Sequence, residues 1–234
     1  CEKLSGVGKS FAFIRNLPGC YFYPAQNWTA EYRQVAELSA EEHERHMEAG
    51  YFRQGQSFYT TVCDTCQECI PIRIPVGAFR PHKSQRRILR DNADLRVEVR
   101  KPSFSLAKFQ LFQKYQKERW NMPVQHPEEL FHYMLTDWGG AWEFSYWEAD
   151  RLLGFGILDE MPDSGNSRYF VYDCEKARGL GIFSLLQELE WCQQHGKTHL
   201  YLGMYVPSHP SMDYKASFRP FELRLRPDGW MRFA

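Results

Sequence analysis

Long apolar runs are missing from this sequence of 234 residues. No stretch approaches the ~20 consecutive apolar residues that a membrane helix needs, and no signal peptide is visible. An excess of charge of one sign is missing as well. Lys and Arg number 29, as do Asp and Glu, so no global field draws in nucleic acid and any RNA contact must come from a local patch. There is no internal repeat and no low-complexity linker. Cysteine is sparse and odd in number, seven in all. Three of the seven crowd into residues 63–69, a spacing poor for disulfides and better suited to ligands. A reducing, cytoplasmic setting is therefore expected.

What is present is ordinary in bulk and uneven in detail. A hydrophobic share of 43% with 25% charged residues suits a globular chain of one large domain or two small ones. Aromatics reach 16%, which favours dense cores, although such rings also stack on bases. The sharpest local feature is Cys63-x-x-Cys66-x-x-Cys69, followed directly by a basic segment, Lys83-Ser-Gln85-Arg86-Arg87 and Arg90. Thiolates this close suit a metal or a cluster. Lys83, Arg86, Arg87 and Arg90 suit phosphate, or simply a solvated helix face.

Elements follow from pattern. Residues 11–24 read as an extended aromatic segment with a turn at Pro18-Gly19. Ser39-Ala-Glu-Glu42 is a capping box that starts a helix running to about Ala49, with Gly50 suited to the left-handed position after its end. Strands are expected at 51–53 and 57–62, a basic helix from Ser84, and an alternating strand at 96–100. Lys101-Pro-Ser103 is the expected boundary, dividing 1–101 from 102–234. Beyond it, Leu106, Phe109, Phe112 and Tyr115 recur at helical spacing, and Pro127 suits a helix start. Strands are expected at 142–147, 152–158 and 169–172, with Pro162–Gly165 as a turn. A loop at Lys176-x-x-Gly179-x-Gly181, a helix over 182–195 and a strand at 199–205 complete the order. This succession is that of an acetyltransferase-like (GNAT-like) fold. The predicted class is α+β, a mixed sheet flanked by helices with a smaller N-terminal Cys-containing α/β region. Backbone N–H groups at Gly179 and Gly181 would face a phosphate at a helix start.

Over most of residues 20–230 the chain resembles the bacterial aspartate/glutamate leucyltransferases and the arginyl-tRNA–protein transferases. The residues that carry the resemblance are Gly50-Tyr-Phe-Arg53-x-Gly55, the CxxCxxC with Pro71 and Arg73, Ser84–Arg87 and Asn92-Ala-Asp94-Leu95. They continue in Tyr169–Asp173, Leu180-Gly181, Tyr201–Tyr205, Met212-x-Tyr214-Lys215-x-x-Phe218-x-Pro220 and Trp230. Cys174 stands where relatives carry proline, and Ser208-His209 near a place where they carry cysteine. The resemblance implies transfer of an amino acid, leucine or arginine, from aminoacyl-tRNA to proteins beginning with Asp or Glu, marking them for degradation. It also implies Cys20 as the fourth partner of Cys63, Cys66 and Cys69, since eukaryotic relatives hold an iron–sulfur cluster with a comparable set; zinc is the other option. The alternative is a set of reduced thiols in a tight turn. Cys1, Cys174 and Cys192 are read as incidental.

The implied reaction is aminolysis of an activated ester. An α-amino group has a pKa of roughly 7.7–8, so positioning can carry the chemistry, contributing about 7–11 kcal/mol in favourable cases, and no cofactor is required. Asp173 is expected to orient the amine, and Tyr201, Tyr205 and Tyr214 to donate to the ester or the terminal ribose. Alternate tyrosines that merely pack are the plainer reading. Lys215 and Arg219 are expected to read the acidic side chain of the acceptor, or else to be solvated charges. Two other functions fit part of the sequence: an acetyl-CoA-dependent N-acetyltransferase, resting on the glycine loop, and a zinc-ribbon-like RNA-binding module, resting on the cysteines and arginines.

Overall fold

A computed structural model describes residues 10–175, 178–207 and 209–234. Cys1, Lys176 and Ser208, each named above, lie outside the described residues. The chain builds two sheets. A small antiparallel one, in the order β1-β2-β4-β3, uses β1 (Ser10–Leu17), β2 (Trp28–Val35), β3 (Phe52–Gln54) and β4 (Ser57–Thr61). The large one has eight strands. Its outer run is β6 (Arg96–Arg100), β7 (Ala141–Glu148), β8 (Arg151–Glu160) and β9 (Ser164–Tyr172). β10 (His199–Tyr205), β5 (Ile70–Pro75), β11 (Phe221–Leu225) and β12 (Gly229–Phe233) continue it. Strands from both sides of residue 101 therefore share this sheet. β5 and β6 belong to it, and only the small sheet is built from the first 61 residues.

Helices cover the large sheet on both faces. α3 (Leu106–Trp120) packs Phe109, Phe112 and Tyr115 against Phe155, Ile157 and Val171. α5 (Leu180–Gln194) packs Leu180, Phe183, Leu186 and Leu189 on the other face, over Tyr146, Leu153 and Leu158. Because β8 lies between these two layers it is buried on both sides, which is why it reads as a continuous apolar run rather than an alternation. α1 (Ala40–Glu48) starts with the expected capping box: Ser39 Oγ accepts from Glu42 N–H at 3.2 Å, and Glu42 Oε2 accepts from Ser39 N–H at 3.0 Å. Such a cap contributes about 1 kcal/mol. α2 (Lys83–Asp91) begins one residue earlier than expected, and α4 (Pro127–Leu130) passes into one π turn over Phe131–Leu135.

Two features escape sequence patterns. β5 is an internal strand although it carries Pro71 and Pro75. Pro75 is its last residue, and Pro71 lies beside a register shift in β10 between Tyr201 and Met204, so neither missing N–H breaks a regular ladder. The expected turn over Pro162–Gly165 is shorter, because Ser164 and Gly165 already belong to β9. Among the described residues no helix is long and apolar enough to cross a membrane.

Candidate active site

The site follows from one irregularity. β9 and β10 run parallel but pair only where His199, Leu200 and Tyr201 meet Ser164, Gly165 and Asn166. Past that point the strands diverge and leave a cleft of about 610 Å³. A second irregularity sits on its wall. Ile157 of β8 faces Tyr169, while its neighbour Leu158 faces Ser167. Arg168 is thus the extra residue of a β-bulge, a device that bends a strand and re-aims its side chains. Ser167, Tyr169, Phe170 and Tyr172 line the cleft along β9, and Leu202 lines it on the β10 side. Tyr115, Arg119 and Trp120 of α3 contribute another wall.

The start of α5 closes one end. Gly179 is its N-cap in the left-handed region, at φ +67°. A Cβ there would also come within 3.2 Å of Ile88 Cδ1, so both the conformation and the close approach of α2 call for glycine. Gly181 has open space where a Cβ would stand, and it lines the cleft. The first N–H groups of a helix have no intrahelical partner and carry a partial positive charge, so this end of the cleft favours an anion. Arg178 fixes the loop, bonding Glu148 Oε1 at 3.0 Å and Asp91 O at 2.7 Å and pairing with Asp94. Asn92, wholly buried, donates to Arg178 O at 2.8 Å and to Ile88 O at 2.9 Å. Asn92 and Asp94 therefore lock the glycine loop to the end of α2. On that helix Lys83, Arg86, Arg87 and Arg90 are all exposed; Arg87 makes a long surface pair with Asp91 at 3.3 Å, and Arg86 donates to Pro81 O at 2.5 Å. The basic face and the cleft mouth are thus carried by one packed unit.

The opposite wall is a 3₁₀ turn, Asp213–Ser217, which supplies Tyr214 and Lys215 to the cleft. Tyr214 is 39% exposed, and burial first, then the nearby Glu188, pushes its pKa up to about 12. It is a donor at neutral pH. Lys215 is only 9% exposed and gives hydrogen bonds to Leu202 O at 2.8 Å and Met204 O at 2.5 Å. Among the described residues no carboxylate pairs with it, and burial alone brings its pKa down from 10.5 to about 7.

The other expected site residues lie elsewhere. Asp173, 2% exposed, accepts from Lys114 Nζ at 3.0 Å and Glu175 N–H at 3.2 Å and pairs with Arg151. Burial works to raise its pKa, but Lys114, the Glu175 N–H and Arg151 together bring it below the usual range. It is a satisfied carboxylate outside the cleft lining. Tyr201 points to the other face of the sheet. Its hydroxyl donates to Glu48 Oε2 at 2.8 Å and accepts from Arg73 at 3.0 Å, and its ring packs with Val35, Met47, Phe58 and Met161. It joins the small sheet to the large one. Tyr205 is half-buried against the core under α5, and Arg219 is exposed, its guanidinium over the Phe221 ring at 5.4 Å; neither lines the cleft.

The cysteines form a neighbourhood but not a centre. Burial, and then Cys20, Cys63 and Cys66, push the Cys69 thiol up to about 12. The Cys63 thiol exchanges hydrogen bonds with the Thr29 main chain, accepting at 3.4 Å and donating at 3.6 Å. Among the described residues no three or more His, Cys, Asp or Glu stand where they could hold a metal ion. The expected zinc or iron–sulfur site thus has no support in this arrangement, and the transfer chemistry is derived without it.

Sequence reading missed Arg168, Ser167 and Ser184 of the cleft wall, and Glu188 beneath it. It also missed the buried ion cluster that ties the layers, in which Arg53 meets Asp159 at 2.7 Å and Arg168 meets the same oxygen at 3.5 Å. No local pattern marks a bulge or a cross-layer ion pair.

Comparison with known proteins adds an independent line. The family model for the N terminus of arginine-tRNA-protein transferases matches residues 18–87, and the model for their C terminus matches residues 107–225. An aspartate/glutamate leucyltransferase of Saccharophagus degradans is 31% identical over 189 residues, 79% of this chain and 80% of that one. One from Leptospira interrogans is 29% identical over 229 residues, covering 91% and 88%. Among solved structures, the C-terminal domain of a putative lysylphosphatidylglycerol synthetase from Agrobacterium fabrum superposes with a TM-score of 0.53 at 15% identity, over 77% of this chain and 62% of that one. That likeness speaks to the fold alone, and it agrees with the acetyltransferase-like sheet.

Proposed function

The chain belongs to the arginine-tRNA-protein transferase family, and from that premise we propose that it moves leucine from leucyl-tRNA onto the N-terminal Asp or Glu of acceptor proteins. The enzyme is an aminoacyltransferase, and its product begins with leucine, an N-degron. The leucyl donor is supported by the relatives named aspartate/glutamate leucyltransferase; an arginyl donor would use the same chemistry.

One observation carries the acceptor preference: Lys215, buried in the cleft wall with two main-chain carbonyls as its partners. A buried ammonium without an anion is costly, and an Asp or Glu side chain of the acceptor supplies the anion. A carboxylate there restores the charge of Lys215 and forms a charge-assisted hydrogen bond. The aminoacyl end of the tRNA enters past Gly179 and Gly181, where the helix start favours its terminal phosphate. Lys83, Arg86, Arg87 and Arg90 on the adjoining α2 face meet phosphates further along the acceptor arm. Tyr214, which keeps its proton to about pH 12, donates to the carbonyl oxygen as it gains charge, a contribution of roughly 3 kcal/mol for such donors. The acceptor amine attacks the ester carbon, the C–N bond forms, and the ribose oxygen leaves.

The test is transfer of labelled leucine, and in parallel arginine, from charged tRNA to peptides beginning with Asp, Glu, Lys or Ala. Leucine on the Asp and Glu peptides alone is expected. Arginine in its place changes the donor and keeps the mechanism. No transfer from either tRNA refutes the proposal.

A further inference from the structure

Beneath the cleft lies a carboxyl that no ion pair explains. Glu188, on α5, is 1% exposed and its Oε2 is without a hydrogen-bond partner among the described residues. Ser167 and Ser184 stand close enough to the carboxyl for their hydroxyls to lower its pKa against the rise that burial imposes, and both serines line the cleft. Ser184 is oriented from behind: Tyr146 Oη donates to Ser184 Oγ at 3.0 Å, which leaves the Ser184 hydrogen free to point at Glu188. Ser167 is the neighbour of the bulge residue Arg168.

We infer that Glu188 is a positioning residue for the transfer reaction, holding through Ser167 and Ser184 the proton that the attacking amine gives up. The inference rests on the transferase reading above. In the step, the neutral amine forms the C–N bond. Its proton passes to a serine hydroxyl while that hydroxyl's own proton passes to the Glu188 carboxylate. The C–O bond then breaks, and the same path returns one proton to the ribose oxygen. No other reactant is needed.

The surroundings set the carboxyl's basicity. Burial pushes its pKa up to about 8, the serine hydroxyls oppose this, and Asp159 of β8 adds to it. The other titratable groups that face it are Tyr146 of β7, Tyr214 of the 3₁₀ turn and Cys192 one turn along α5. A base of about this strength matches an α-amine at roughly 7.7–8, so the proton moves between near-equals, the condition that favours general-base assistance. A carboxyl kept only for packing gains nothing from two hydroxyls that open onto a cleft, and an apolar side chain would fill the space at lower cost.

The experiment is a pH profile of kcat at saturating leucyl-tRNA and Asp-peptide for the wild type, Glu188→Gln and Glu188→Asp. For Glu188→Gln, kcat is expected to fall about 100-fold or more with both KM values within threefold, and the rise of kcat below pH ~8, steeper than one proton in the wild type because amine and carboxyl must both lose one, falls to the single-proton rise of the amine. Glu188→Asp recovers part of the rate and keeps the steeper rise. Because the raised pKa makes the wild type lose stability as pH climbs from 4.5 to about 8, Glu188→Gln should be relatively more stable at pH 9 than at pH 6. If Glu188→Gln does not fold, Ser167→Ala/Ser184→Ala provides the same readout of kcat against KM. A variant with the wild-type kcat, or a lowered kcat that keeps the wild-type pH rise, overturns the inference. A wild type that transfers neither amino acid overturns the underlying reading instead.

Discussion

Replacing Lys215 with Met keeps the length of the side chain and removes the ammonium. The fall of its pKa from 10.5 to about 7 means that holding the charged form in the folded chain costs ~5 kcal/mol at pH 6. The two hydrogen bonds to Leu202 O and Met204 O return about 1 kcal/mol each. Lys215→Met should therefore be more stable than the wild type by ~3 kcal/mol at pH 6. The sign reverses with pH. Between about 7 and 10.5 the unfolded chain binds more protons at this position than the folded one, so wild-type stability rises across that window. The two stability curves should cross near pH ~9, where the remaining cost equals the lost hydrogen bonds. Urea unfolding at pH 6, 8 and 10 measures this directly. In the transfer assay the same variant should raise the KM for Asp and Glu peptides by roughly 10–150-fold, the loss of one charge-assisted hydrogen bond of about 1.5–3 kcal/mol. Parallel stability curves from pH 6 to 10 would refute the burial of the ammonium. An unchanged peptide KM would refute its role in reading the acceptor.

Arg86→Ala/Arg87→Ala should raise the KM for charged tRNA, lower the slope of log affinity against log salt by about 1.5–2, and leave the peptide KM unchanged; affinity measured across a salt series decides it. Asp159→Asn should cost about 3–5 kcal/mol, because it strands Arg53 and Arg168 as buried unpaired charges. Burial works to raise the Asp159 pKa, but Arg168, Arg53 and His43 bring it down to about 2. The stability it contributes is thus present above 3.8 and lost as pH falls through about 2, a loss that acid titration should show in the wild type and not in the variant. Gly179→Ala forces a side chain into the left-handed region against Ile88, so it should shift the loop, costing about 1–2 kcal/mol of stability, and raise the tRNA KM. Thermal unfolding together with steady-state kinetics separates the two effects.

Several parts of this protein are local consequences of sequence. The Ser39–Glu42 box satisfies its own helix start. The repeat of Leu106, Phe109, Phe112 and Tyr115 sets the buried face of α3, and the order of elements after residue 141 identifies the acetyltransferase-like sheet. Gly179 is legible as well, since few residues adopt the backbone it needs. Which tyrosine serves the cleft is not legible. A period of two says that Tyr201 and Leu202 face opposite sides of β10, but not which side is covered by the small sheet and which by α5. That depends on layers built from residues more than a hundred positions away, such as Glu48 bonding Tyr201. The same holds for Asp173, which reads as a free strand-end acid in sequence and is paired with Lys114 and Arg151 in the fold. Sequence by itself determined α1, α3, the strands and helix from 141 to 205, the family and the basic helix, because these rest on short-range propensity and spacing; β2, β5, β11 and β12 were not legible. Only the tertiary structure decided the divergence of β9 from β10, the bulge at Arg168, and the burial of Lys215 and Glu188. Desolvation arises from the packing of distant segments, and no local pattern encodes it.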